Sequence, residues 1–315
     1  MAGAFVNPVQ GKIDVALSQF ARMYTNNTFV AETLFPRVEV EHQSDFYWLY
    51  GDENLQALEN DLRAPGAPAE RIQQTLSKDR YFCPDHSLAR SIPDEERGNF
   101  TAGDVEQWAV STLMDKLFLK EEIRAAALAT DTNSYANGNS VILAGANQWS
   151  DLANSKPISD VETARSVIRQ SGKEANVIII SDPVYQVLRV HPTIVERFKY
   201  VNGGEITLTQ IASAFGIEKA FLASAVQKDK RGNKSYIWGK HVVLAYAQPN
   251  PTPMDISLGK TFVWRSAPGT VGGFQTEIAR DVPASKKSDE VATHFYYGQK
   301  ITSNVSGYLL QNAVA

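Results

Sequence analysis

The sequence predicts an α+β fold, and three observations carry the prediction. Residues 105–129 contain neither Gly nor Pro, and Val110, Leu113, Met114 and Leu117 recur there at helical spacing. Residues 177–180, Val-Ile-Ile-Ile, form a short all-apolar run suited to a strand buried on both faces. Runs of β-branched and aromatic residues then dominate the final part of the chain, at 262–264, 274–279 and 295–301.

Composition narrows the function classes. The 315 residues are 43% hydrophobic and 21% charged, an ordinary globular balance, and the length supports two modest cores. The formal net charge is -4 with acids and bases interspersed, so the basic excess that grips nucleic-acid phosphates is missing. Direct DNA binding is not expected as the main task. A lone cysteine, Cys83, excludes an intrachain disulfide. The opening residues lack a signal-peptide pattern, and no apolar run nears the roughly 20 residues of a membrane helix. A soluble chain made in a reducing compartment is expected.

Taken in order, residues 1–40 read as an irregular arm with a helical patch around Ile13, Val15, Leu17 and Phe20. Leu34-Phe35-Pro36 leads into the alternating stretch 38–41, and 46–50 is aromatic and strand-like. From 51 to about 98 the chain is polar, is broken by Pro65, Gly66, Pro68, Pro84 and Pro93, and shows no core face. So long a stretch is unusual inside a compact domain and must find order through contacts outside itself. It reads as a long two-stranded loop. Asp104 is placed to cap the 105–129 helix, which at 1.5 Å per residue is roughly 38 Å long. Ser159-Asp160-Val161-Glu162 looks like a capping box for a helix closed at Gly172. Asp182-Pro183 and His191-Pro192 open two short helices, and 209–215 gives a third, stopped by Gly216. Residues 219–227 and 236–247 read as strands joined by a charged hairpin connection at 228–234.

Chemical motifs fail on their own requirements. Gly259-Lys260-Thr261 looks like the end of a phosphate loop, but Met254 stands where a Gly is needed and a strand follows instead of a helix. The glycines of 268–274 miss the dinucleotide spacing. Cys83 and His86 have ligand-like spacing, yet zinc needs four ligands and His42, His191, His241 and His294 are dispersed. No Gly-x-Ser-x-Gly occurs, and Asp94-Glu95-Glu96 reads as a solvated turn. No catalytic residue, cofactor or metal site is expected.

An arm, a projecting loop and a rod gain nothing in a monomer, because each costs ordering entropy without a core of its own. Their order resembles the major capsid fold of tailed bacteriophages. Leu34-Phe35-Pro36-Arg37-Val38-Glu39-Val40 is similar to that family's arm-to-loop passage, and residues 81–96 to the returning strand of its extended loop. Residues 176–181, Asp182-Pro183, 208–216, 219–227 and Tyr236-Ile237-Trp238-Gly239-Lys240 resemble its apical domain. The resemblance implies an N-terminal arm at 1–40, an extended loop at 41–100, a peripheral domain with the spine helix at 101–160, an apical domain at 161–281, and returning strands of the peripheral domain at 282–315.

It further implies a non-enzymatic subunit that assembles through pentamers and hexamers into an icosahedral shell around double-stranded DNA. The implied partners are many copies of itself, a separate scaffolding protein, a portal and, for some shells, a decoration protein, with only non-specific contact to DNA. The location implied is the virion, with assembly in the host cytoplasm. Covalent cross-linking would need a lysine and an asparagine such as Lys300 with Asn304 or Asn312, and no acid can be assigned to it. Trp48, Tyr50, Tyr81, Phe82 and Ile92 are the candidate interface anchors, with packing inside the loop itself as the alternative. Gly203-Gly204 marks a mobile turn or a plain surface loop. A cellular nanocompartment shell is the alternative function. An oligomeric α/β enzyme and a tail or connector protein are the more distant ones.

Overall fold

The computed structural model of the chain describes residues 12–26, 28–51, 62–63, 65–66, 77–99, 104–199, 206–280 and 287–315. The first residues of the arm, most of the loop between 52 and 76, and Gly203-Gly204 lie outside the described residues.

A two-residue strand β1 (Lys12–Ile13) precedes helix α1 (Val15–Met23), which begins where the Asp14 carboxylate accepts the Leu17 N–H at 3.0 Å. One turn of helix, α2 (Ala31–Leu34), leads into β2 (Arg37–Val40). Strands β3 (Ser44–Leu49) and β4 (Ser77–Phe82) pair antiparallel as the stem of the expected loop. Next come β5 (Asp85–Pro93), the short α3 (Asp94–Gly98) and the long α4 (Asp104–Ala129). An alternating stretch follows: β6 (Ser140–Ile142), α5 (Pro157–Gln170), β7 (Val177–Ser181), α6 (Asp182–Val190), α7 (Pro192–Phe198), α8 (Leu208–Phe215) and β8 (Lys219–Ala223). Strands β9 (Val226–Lys228) and β10 (Lys234–Tyr236) make a hairpin. Then come β11 (Val242–Ala245), β12 (Gly259–Trp264), β13 (Phe274–Arg280), β14 (Ser288–Ile301) and β15 (Gly307–Gln311).

Two large sheets organise these parts. The five-stranded sheet runs β6-β15-β11-β7-β8. Its β7 is buried along its whole length, and its side chains alternate between two cores, as an apolar strand between layers must. Ile178 and Ile180 face α5, α6, α7 and α8, while Val177 and Ile179 face the second core beneath. Each fully buried isoleucine adds about 1.5–3 kcal/mol through burial. The other sheet has six strands, in the order β1-β13-β14-β12-β2, with β5 also paired to β14.

Helix α4 joins the two sheets. Its first half packs Val110, Leu113, Met114 and Phe118 against Phe274, Val291 and Phe295 of the six-stranded sheet. Its second half places Ala125, Ala126 and Ala129 in the core under the five-stranded sheet, where small side chains permit close approach.

The sheets cut across the sequence-based boundaries. β6, expected in the 101–160 unit, and β15, expected among the returning strands of 282–315, both belong to the five-stranded sheet. β12 and β13, expected inside 161–281, belong to the six-stranded one. Long-range strand pairing decides membership, and local pattern carries no trace of it. Residues 12–40 pack on their own chain: β1 pairs β13, β2 runs parallel to β12, and Leu17 and Ala21 enter the α4 core. The returning part of the loop splits at Cys83-Pro84, so that β4 stays in the stem while β5 joins β14.

Local signals shift as well. Helix α5 begins at Pro157 with Lys156 at its cap, so Ser159 does not start it, and Ser181 rather than Asp182 caps α6. The reciprocal capping box lies at Thr207 and Gln210, opening α8, and Gly216 closes that helix at φ +63°. The two strands expected at 219–227 and 236–247 each break, because β8 and β11 stay in the sheet while β9 and β10 leave it to pair with each other.

Candidate subunit interface

The stem of the loop has two chemically distinct faces, fixed by the two-residue period of its strands. On the inner face, Tyr47 and Tyr81 are buried against Phe262 of β12, with ring centroids 5.4 and 4.6 Å apart. Burial pushes the Tyr81 hydroxyl up to about 12. The outer face carries Phe46, Trp48 and Phe82, interleaved with Lys78 and Arg80. The Lys78 ammonium sits 4.2 Å over the Trp48 ring and the Arg80 guanidinium 5.2 Å over Phe46. Phe46 and Phe82 remain 59% and 55% exposed, a large apolar area to leave in water.

The stem is fastened where it meets the body. The Tyr47 hydroxyl donates to Asp79 at 2.9 Å, and Lys300 of β14 reaches the same carboxylate at 3.3 Å. The backbone N–H of Arg80, the Tyr47 hydroxyl and Lys300 hold the Asp79 carboxyl below its ordinary range. The Cys83 N–H donates to Gln43 O at 2.9 Å and its thiol to Phe262 O at 3.3 Å. At Gly298 the two backbones are so close that a Cβ would lie 2.2 Å from the Phe82 carbonyl oxygen.

A buried polar knot sits where α4 passes from one sheet to the other. Glu122 accepts the Val30 and Ala31 N–H groups at the start of α2, at 3.1 and 2.8 Å, and the Trp238 indole N–H at 2.6 Å. Glu121, beside it, accepts from Arg37 at 2.9 Å. The Arg37 guanidinium lies 5.0 Å from the Phe118 ring and 5.3 Å from Phe295. Burial raises the Glu122 carboxyl above the usual range despite its three donors, while Glu121 and Glu32 raise Arg37 against the opposing effect of its burial. Every member of the knot has a partner inside the chain, so it joins segments and offers no reactive group.

The residues that looked reactive in the sequence are likewise occupied. Burial pushes the Cys83 thiol up to about 12, which keeps it protonated and unreactive. His86 packs against Tyr297, with centroids 4.4 Å apart and the rings tilted by 54°. His191 is buried between Ser155 and Thr193. Lys260 is buried on β12, with its ammonium on the Thr252 and Asp255 carbonyls at 2.8 and 2.7 Å and the Asp255 carboxylate at 3.0 Å. Among the described residues no group of three or more His, Cys, Asp or Glu is placed to hold a metal ion.

No family model matches the chain. The major capsid protein of Burkholderia phage BcepMu is 30% identical to it over 256 residues, 79% of this chain and 82% of that protein. The chain belongs to the phage major capsid protein family. The major capsid protein of Pseudomonas phage JBD67 is 27% identical over 74% of this chain and 77% of its own. The crystal structure of a phage-related protein from Bordetella bronchiseptica RB50 superposes with a TM-score of 0.80 at 26% identity, covering 96% of this chain and 98% of that one.

For a capsid protein the five sequence-based anchor candidates fall in different places. Trp48 and Phe82 share the outer face of the stem. Tyr81 and Ile92 are buried within the chain's own cores, Tyr81 on Phe262 and Ile92 beneath α4, so neither is a surface anchor. Tyr50 is tied to its own chain through its N–H to Thr302 O at 3.0 Å and its hydroxyl to Met254 O. Phe46, not among the five, lies on the same outer face, where the period-two pattern of Phe46 with Trp48 and Arg80 with Phe82 places it.

Proposed function

We propose that this capsid protein is the structural shell subunit of a tailed phage, closing in many copies, through pentamers and hexamers, into an icosahedral container for double-stranded DNA. The observation that carries this reading is the identity to the BcepMu major capsid protein along four-fifths of both chains. In this reading the five-stranded unit faces the symmetry axes and the six-stranded unit with α4 forms the periphery. The 41–100 loop overlaps the neighbouring subunit through Phe46, Trp48 and Phe82. The role is structural rather than catalytic, consistent with the occupied state of Cys83, His191 and Lys260. Assembly takes place in the host cytoplasm with a separate scaffolding protein and a portal, and a decoration protein is compatible with the same shell. The mild net acidity of -4 suits an inner wall to which packaged DNA does not adhere. A nanocompartment shell would use the same fold, but the curated relatives are phage proteins.

The test is negative-stain electron microscopy of the purified chain, with and without a co-expressed scaffolding protein. Closed shells, or rings of five and six, are expected. A monomer or small oligomer under both conditions would overturn the proposal.

A further inference from the structure

The hairpin of β9 and β10 stands apart from both sheets, and all but one of its eleven residues, 226–236, are exposed. It holds Lys228, Lys230, Arg231 and Lys234 against the single acid Asp229. Asp229 is occupied by the turn itself: its carboxylate accepts the Arg231 and Asn233 N–H groups, both at 2.8 Å, and the Asn233 side-chain amide at 3.1 Å. Among the described residues none of the four cations is paired with a carboxylate. Lys228 and Lys234 are direct cross-strand partners, a like-charge pair that weakens the hairpin unless an anion lies against both. At the base Val226 pairs with Tyr236, whose hydroxyl is held by Asp182 at the start of α6, so the cations sit on a braced projection.

The chain as a whole has a net charge of -4, so the positive charge gathered here runs against the rest of the molecule. A second copy offers little to match it. Glu162 and Glu174 are taken by Arg165 and Arg169, Glu106 and Asp289 by Arg97, and Glu39 by Arg22 and Arg265, so these carboxylate groups reach any contact already neutralised. A polymer of phosphates needs no such match, because it lays one anion after another along four unpaired cations. We propose that the 226–236 hairpin is this chain's nucleic-acid contact, gripping the phosphodiester backbone of duplex DNA without reading its sequence. Phosphate contacts from lysine carry charge but no base information. One hairpin alone binds weakly, but each further copy of the chain adds another, and a single duplex can engage many at once. The acidic remainder of the chain repels the same duplex, which confines the touch to the hairpin and keeps it reversible.

The inference rests on the shell reading and names where the container touches its DNA, but its test needs no assembly. The purified full chain is titrated against two short fluorescein-labelled duplexes of unrelated sequence, and anisotropy is followed over a potassium chloride series. Equal affinity for both duplexes, falling with salt, is expected. The K228Q/K230Q/R231Q/K234Q variant should keep the wild-type unfolding curve, bind at least about 10-fold more weakly, and flatten the log–log salt slope by about 0.9 for each cation removed. K228Q/K234Q alone should show about half of that flattening. The K116Q/K120Q/K156Q/K219Q variant removes the same charge from exposed lysines elsewhere and should bind like the wild type. Equal weakening in that control, or wild-type binding by the hairpin variant, would overturn the proposal. A hairpin variant that binds DNA normally and loses shell yield would assign the cations to a protein partner and likewise overturn it. Shells that fail to form while the hairpin still binds DNA would count against the shell reading alone.

Discussion

The Trp238 indole N–H donates to the Glu122 carboxylate across 2.6 Å, joining the turn after β10 to the middle of α4. With Val30 and Ala31 also donating to Glu122, one side chain holds the arm, the long helix and the underside of the five-stranded sheet together.

Both Glu122 oxygens accept from donors, so an amide cannot replace the carboxylate. Glu122→Gln turns an NH2 group toward an N–H and leaves a buried donor unsatisfied, a loss of about 1–3 kcal/mol. Denaturant unfolding followed by tryptophan fluorescence should show the midpoint falling. An unchanged midpoint would mean that the knot adds little.

Gly298→Ala should destabilise where the stem crosses β14. The new Cβ would lie 2.2 Å from the Phe82 carbonyl oxygen, which is backbone and cannot swing away. Relief requires the strands to part, at a cost of about 1–3 kcal/mol. Hydrogen exchange should rise first in β4 and at the end of β14. Exchange that rises evenly over the whole chain would contradict this local origin.

Two carboxylates give pH slopes of opposite sign. Asp79 is held low by the Arg80 N–H, Tyr47 and Lys300, so its contribution is present above the ordinary aspartate range. That contribution is lost as pH falls through its folded value. Glu122 is raised by burial, so its contribution is fullest below the ordinary glutamate range and is lost as pH rises through its folded value. Asp79→Asn should therefore flatten the acid limb of a stability-versus-pH curve, and a limb of wild-type slope would exclude Asp79 as its source.

Phe46 and Phe82 should matter to assembly and hardly at all to folding. As exposed residues they tolerate substitution within about 0.5 kcal/mol of stability. The double variant Phe46→Ser, Phe82→Ser should therefore unfold like the wild type while shell yield drops, as read by sedimentation. Equal yields would show that the outer stem face makes no subunit contact.

What the sequence revealed follows from the range of the interactions involved. The α4 rod, the doubly buried 177–180 strand, the Gly216 stop and the charged hairpin are set by neighbours in sequence, and all four are where periodicity and turn chemistry put them. The sheet membership of β6, β12, β13 and β15 depends on partners far along the chain and left no local mark. The outer face of the stem follows the same rule. Tyr81 looks like a surface anchor until Phe262, from a distant strand, covers it, whereas Phe46 was recoverable from alternation alone.

The position of β15 bears on how the protein is made. It lies between β6 and β11 in the five-stranded sheet, pairing parallel with residues 140–142 and antiparallel with 242–245. The six-stranded sheet likewise waits for β14, which alone bridges β13, β5 and β12. On a translating ribosome, therefore, the six-stranded sheet cannot close before residue 301 has been made, nor the five-stranded sheet before residue 311. A nascent chain, with its sheets still open, cannot present finished contact surfaces to its neighbours.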